Sequence, residues 1–162
     1  MTGINNGPPQ GTVMKWWSRL SPLPGGAWLF SRVLGGLAPY TGSIGARIDE
    51  IRPGYARVSL RDRRRLRNHL RSLHAIALIN LGELSSGLAV LSTLPANMRA
   101  ILVSIHAEYL KKARGSLVAV AEFELPPEIA DDTACEVEAE LRDGDGDTVT
   151  RVRATWLIGY KS

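Results

Sequence analysis

At 162 residues the chain has the size of one domain, long enough to bury a single good core. Apolar residues make up 44% and charged residues 22%, the balance of a globular protein, and no run of about 18 uninterrupted apolar residues is present to span a bilayer. The single cysteine, Cys135, excludes an internal disulfide and a multi-cysteine metal site, while the net charge of +4 is concentrated, with six arginines among the eleven residues 61–71.

Residues 1–12, rich in Gly, Asn and Pro, are expected to form a disordered tail. They lack the charged start and apolar run of a secretory signal, so a cytoplasmic location is expected. Residues 13–38 form an N-terminal helical segment. Its core, WWSRLSPLPGGAWLFSRVLGGL from Trp16 to Leu37, is apolar at helical spacing but cut by Pro22, Pro24 and Gly25-Gly26, which predicts two short helices. The tryptophans read as packing anchors; a membrane-surface helix is the alternative, and the scarcity of lysine weighs against it.

Residues 39–162 supply the main domain. Ile44, Ala46 and Ile48 alternate with polar neighbours, Pro53-Gly54 makes a turn, and Ala56, Val58 and Leu60 alternate again, which predicts a hairpin. Ser72 to about Leu94 then reads as one long helix with Ser72 as N-cap and Pro95 as a stop. Leu73, Ala77, Leu81, Leu84, Leu88 and Leu91 share one face. Ala75, Gly82, Ser86 and Ala89 form a stripe of small residues opposite. A helix with so little charge is buried nearly all round, so something must wrap it.

Four further alternating runs supply the wrapping: Ile101 to Tyr109, Leu117 to Phe123, Thr133 to Leu141, and Val152 to Ile158. Short links join them, and the set reads as an antiparallel meander. The Asp143–Asp147 stretch DGDGD resembles a calcium loop in composition alone; lying between two strand patterns, it is a hairpin turn. The overall reading is α+β, a strongly curved antiparallel sheet around a long central helix.

That order of elements resembles the hotdog fold. Asn68, His74 and Glu83 match in type and spacing the Asn…His-Gly-Gly…Asp/Glu pattern of the PaaI-type hotdog thioesterases. The chain is more similar still to an uncharacterised hotdog branch, through Pro39-Tyr40-Thr41-Gly42, Asn68-His69, Leu73-His74-Ala75 and the run Tyr109 to Gly115. The resemblance covers roughly residues 28–160. It implies hydrolysis of a coenzyme A or carrier-protein thioester, with coenzyme A as part of the substrate and no separate cofactor or metal.

Thioester hydrolysis needs a proton acceptor or a nucleophile, the role assigned to Glu83, and donors aimed at the developing oxyanion. The backbone N–H groups of Ala75 and Ile76 at the helix start are the candidate donors. Asn68 and His74 are placed to orient water or hold the carbonyl, and no nucleophile elbow marks a serine. Arg63, Arg64, Arg65, Arg67 and Arg71 are candidates for the phosphates of coenzyme A. Nucleic acid is not expected, because no aromatics interleave with the arginines. His106 and Cys135 read as structural.

Nine residues at 100° each make 900°, so His74 and Glu83 point to opposite sides of the helix, about 13 Å apart along it. One chain cannot bring them together. A two-fold homodimer can, with Asn68 and His74 from one copy and Glu83 from the other, and a dimer of dimers is the larger alternative. The small-residue stripe is expected to permit that close approach. Ala75 and Ile76 stand where the pattern has two glycines, and Leu102 where some of those enzymes carry a polar residue. These features favour the other reading, a non-catalytic acyl-binding or regulatory hotdog protein.

Overall fold

The computed structural model describes residues 11–129 and 132–161. Residues 1–10 of the expected tail lie outside the described residues; Gly11 already precedes the first helix, and Thr12 opens it. Three helices come first: α1 (Thr12–Leu20), α2 (Gly26–Leu37) and the short α3 (Pro39–Ser43). Then follow strands β1 (Arg47–Arg52) and β2 (Tyr55–Leu60), a 3-10 turn at Arg64–Leu66, and the central helix α4 (Ala75–Thr93). Strands β3 (Met98–Tyr109), β4 (Leu117–Glu122), β5 (Thr133–Arg142) and β6 (Thr148–Tyr160) complete the domain. All six strands form one antiparallel sheet against α4, a hotdog fold preceded by helices.

The hairpin of β1 and β2 turns at Pro53-Gly54, with Gly54 at φ +75° and Arg52 paired to Tyr55. A side chain at Gly54 would also strike the Phe123 carbonyl, its Cβ 2.2 Å away, so two constraints ask for glycine. A bulge at Asp49 shifts the phase of β1. Ile48 and Ile51 are therefore the buried pair, while Ile44 is buried at the end of α3 rather than in the strand.

The sheet order is β1-β2-β4-β5-β6-β3, not the simple meander expected. After α4 the chain returns to the far edge, so β3 pairs with β6 instead of β4. A second bulge, at Val103, corrects the expected phase of β3. Ahead of it Met98, Ala100 and Leu102 turn toward the core, beyond it Ile105 and Ala107 do, and Ile101 and Val103 are left exposed on an edge strand.

The other strands follow their alternation. Leu117, Ala119 and Ala121 of β4, Cys135, Val137, Ala139 and Leu141 of β5, and Val152, Ala154, Trp156 and Ile158 of β6 are all buried. Each large side chain so enclosed is worth roughly 2 kcal/mol. Cys135 is a core residue, and burial pushes its thiol up. Asp143 and Asp147 close the β5–β6 hairpin, both carboxylates meeting the ammonium of Lys111, at 2.8 and 2.6 Å.

α4 is long and apolar enough to cross a membrane by length and composition, but it is the core helix, mostly buried. Its small residues face the sheet. A Cβ at Gly82 would lie 2.5 Å from Val152, one at Gly87 3.0 Å from the Trp156 ring, and Trp156 Nε1 donates to Ser86 Oγ at 3.3 Å. The stripe expected to serve a partner helix instead lets β6 close onto α4 in the same chain.

Candidate functional site

The loop before α4 is pinned at its base by Asp62. Its Oδ1 accepts from Arg67 Nε at 2.7 Å and its Oδ2 from the Gly115 backbone N–H at 3.0 Å. The hydrogen bond from Arg67 holds the Asp62 carboxyl below its usual range, with the Gly115 N–H helping against some desolvation. The arginine-rich loop and the β3–β4 link are thereby tied together at the start of α4, where the Leu73 N–H also donates to the Ala113 carbonyl at 2.8 Å.

Asn68 then turns the chain. Its Oδ1 accepts the backbone N–H groups of Leu70 at 2.9 Å and Ser72 at 3.2 Å, and its own N–H donates to the Ser72 carbonyl at 2.8 Å. The Asn68 acceptor is committed to this Asx turn, leaving its Nδ2 group for any ligand. Because the turn uses both backbone groups of Ser72, that residue is held outside the helix and is not the N-cap. Its hydroxyl is buried without a partner among the described residues.

His74 is the N-cap: Nδ1 accepts the Ile76 N–H at 3.2 Å. An Nδ1 that accepts leaves the neutral ring's proton on Nε2, which faces outward as a donor. The same bond changes the oxyanion expectation, since Ile76 N–H is already engaged. Ala75 N–H is without an acceptor among the described residues, and the Ala75 carbonyl accepts from the Tyr109 hydroxyl at 3.3 Å. Burial pushes the Tyr109 phenol up.

Glu83 lies further along α4, half-buried, with no cation and no hydrogen-bond donor beside its carboxylate among the described residues. Burial alone pushes its carboxyl above the usual range. One turn earlier stands a residue the sequence reading missed. Asn80 is 3% exposed, donates from Nδ2 to the Tyr40 carbonyl at 3.2 Å, and keeps its Oδ1 buried and unpaired among the described residues. The available signal was an amide three residues from Glu83 on an otherwise apolar helix.

Within one chain no hydrogen bond or ion pair joins Asn68, His74 and Glu83. A hollow of about 450 Å³ lined by Lys111, Lys112, Arg114, Gly115, Ser116 and the Asp143–Asp145 turn does not include Glu83. Of the arginine candidates, Arg67 is occupied by Asp62, whereas Arg63, Arg64, Arg65 and Arg71 are exposed and have no carboxylate partner among the described residues. His106 is exposed on the outer face of β3, 3.9 Å from a Glu108 carboxylate that also meets Arg153. No group of three or more His, Cys, Asp or Glu side chains among the described residues is placed to hold a metal.

Residues 26–158 match the family described as a domain of unknown function, DUF4442. A protein solved in a genomics programme is 32% identical to the chain, covering 92% of it and 99% of that protein, at a TM-score of 0.79. A protein of unknown function from Pseudomonas aeruginosa is 21% identical over 86% of this chain and 97% of its own, at 0.72. A thioesterase family protein from Silicibacter pomeroyi is 21% identical over 81% and 96%, at 0.69. No curated protein matches the chain.

Proposed function

The chain belongs to the DUF4442 family, and from that premise we propose that it is a cytoplasmic acyl thioesterase, free of metal and cofactor, acting on a coenzyme A or carrier-protein thioester. The observation that carries this reading is Glu83, a half-buried carboxylate with a raised pKa and no partner on the core helix of a fold shared with a thioesterase family protein. A charge left unpaired in such a place is expensive, and perturbed acids of this kind are characteristic of catalytic bases.

In this reading Glu83 takes a proton from water whose oxygen bonds to the thioester carbonyl, or attacks that carbonyl itself to give a mixed anhydride that water then hydrolyses; in both the C–S bond breaks and the carrier leaves as thiolate. The open Ala75 N–H and His74 Nε2–H of a second copy are the donors available to the oxyanion, with Asn68 Nδ2 orienting water or carbonyl. Support for a homodimer comes from the exposed apolar side chains of Ile76, Ile101 and Val103, the last two on the unpaired sheet edge. Arg63, Arg64, Arg65 and Arg71 are the cations left for the substrate's phosphates. Thiol release over an acyl-CoA panel tests the assignment: Glu83→Ala should lose roughly 100-fold or more, and unchanged turnover in a folded dimer would remove Glu83 from the mechanism.

One observation favours a second reading, a non-catalytic acyl-binding protein. With Ile76 N–H engaged by His74 Nδ1, only Ala75 of the two residues that stand in place of the thioesterase glycine pair keeps its N–H free among the described residues. Acyl ligand retained through purification, with no thiol released by the wild type, would establish that reading instead.

A further inference from the structure

The N-terminal helices present an apolar face that nothing among the described residues covers. Inside the layer Met14 and Trp17 of α1 and Phe30 of α2 are buried, Trp17 and Phe30 meeting edge to face at 5.2 Å. The outer side of α2 is different, since its exposed positions are Trp28, Leu29, Arg32, Val33, Gly36 and Leu37. Trp28 is 60% exposed and Leu37 79%, and the Arg32 guanidinium lies over the Trp28 ring at 5.9 Å. On α1 the exposed face sets Trp16 between Lys15 and Arg19. Leu23, in the turn joining the two helices, is also exposed.

The tryptophans expected as packing anchors therefore divide, Trp17 buried but Trp16 and Trp28 exposed, and although lysine is scarce two arginines join Lys15, so the charge of this layer identifies what fits it. The first acidic residue of the chain is Asp49, so the helical layer carries Lys15, Arg19 and Arg32 with no carboxylate at all. A second copy docking face to face would set these cations against the same cations with nothing to pair them. An anionic lipid surface supplies both halves of the match, phosphates for the cations and a headgroup–acyl boundary for tryptophan and leucine. We propose that α1 and α2 dock the protein peripherally on anionic membrane, with Trp16, Trp28, Leu29 and Val33 entering the interface and Lys15, Arg19 and Arg32 contacting lipid phosphate. Docking does not depend on the thioesterase assignment.

The test is sedimentation of the full chain with vesicles of phosphatidylcholine alone and of an equimolar phosphatidylcholine–phosphatidylglycerol mixture. Binding to the anionic vesicles should be stronger by on the order of a hundredfold, the effect expected of three cations at such a surface, and should weaken as salt is raised. Trp28→Ser with Val33→Ser should abolish it. Lys15→Glu with Arg32→Glu, which leaves the apolar face intact, should reduce binding to the level of neutral vesicles. Absence of vesicle binding in the wild type, binding indifferent to lipid charge, or a change of oligomeric state in these variants without a change in vesicle binding would each overturn the proposal.

Discussion

The layer of α4 on its sheet and the layer of α1 and α2 outside it are both built from apolar residues and glycine, yet they use them oppositely. Against the sheet, each residue type answers to a neighbour: Gly82 to Val152, Gly87 to the Trp156 ring, Ser86 to the Trp156 N–H. In the outer layer Val33 and Leu37 are exposed and answer to nothing among the described residues, and Trp28 meets only the Arg32 guanidinium over its ring. Residue identity in the first region is explained by packing, whereas in the second it records something the chain meets.

The sharpest way to break this contrast is to add atoms to a glycine in each layer. Gly82→Val drives a branched side chain into Val152 and should cost about 3 kcal/mol in urea unfolding, since overpacking outweighs the few tenths of a kcal/mol, about 0.4, that valine gains over glycine in a helix. A stability within error of wild type would mean that α4 and β6 are not in contact there.

Asp62→Asn comes next and probes the seam between the loop and the β3–β4 link, with an expected loss of about 1.5 kcal/mol at neutral pH, trimmed by the exposure of Arg67. Because the folded-state carboxyl titrates below its unfolded value, this contribution is present above pH 3.8 and disappears as pH falls through the lowered value. Wild type and variant should therefore converge in acid.

Glu83→Gln runs the other way. Its folded carboxyl titrates above the unfolded value, so ionised Glu83 opposes folding, and the opposition vanishes below pH 4.5. The variant should gain on the order of 1 kcal/mol at neutral pH while losing thiol release, the trade expected where function holds a group against stability. The wild-type activity should fall off in acid at a higher pH than an ordinary glutamate base would impose. Smallest of all, Gly36→Ala in the outer layer, where an added Cβ meets nothing within 4 Å, should raise stability by about 0.5 kcal/mol in thermal unfolding.

How far the sequence could be read follows the same division. Alternation located β2, β4, β5 and β6 and every buried position cited for them, because a strand with one face on a core must repeat every second residue. It failed at Val103, where a single-residue bulge resets the phase of β3, and it stopped short of the bulge at Asp49 that sets Ile51 inward; neither bulge has a local mark in the sequence. The helix start was misplaced because Ser72 is the better capping residue by type, but the Asn68 turn had already consumed its backbone groups and left the cap to His74. The small-residue stripe was legible as a close approach, not as an approach to β6. Glu83 became a candidate through its spacing from Asn68 and His74 in the hotdog resemblance; Asn80 did not, since its significance depends on Tyr40, forty residues away.

The position of β6 has a consequence for how the chain is made. β6 pairs with β5 on one side and β3 on the other, and its residues Val152 and Trp156 press on the glycines of α4. A ribosome therefore releases α4 and β3 long before the strand that completes their burial. β3 has no strand to pair with until β6 has left the exit tunnel, and until then the side of α4 that carries Gly82 and Gly87 lacks its cover. Chains truncated at the β5–β6 hairpin should be captured by chaperones during synthesis, whereas chains that carry β6 should escape within one folding event.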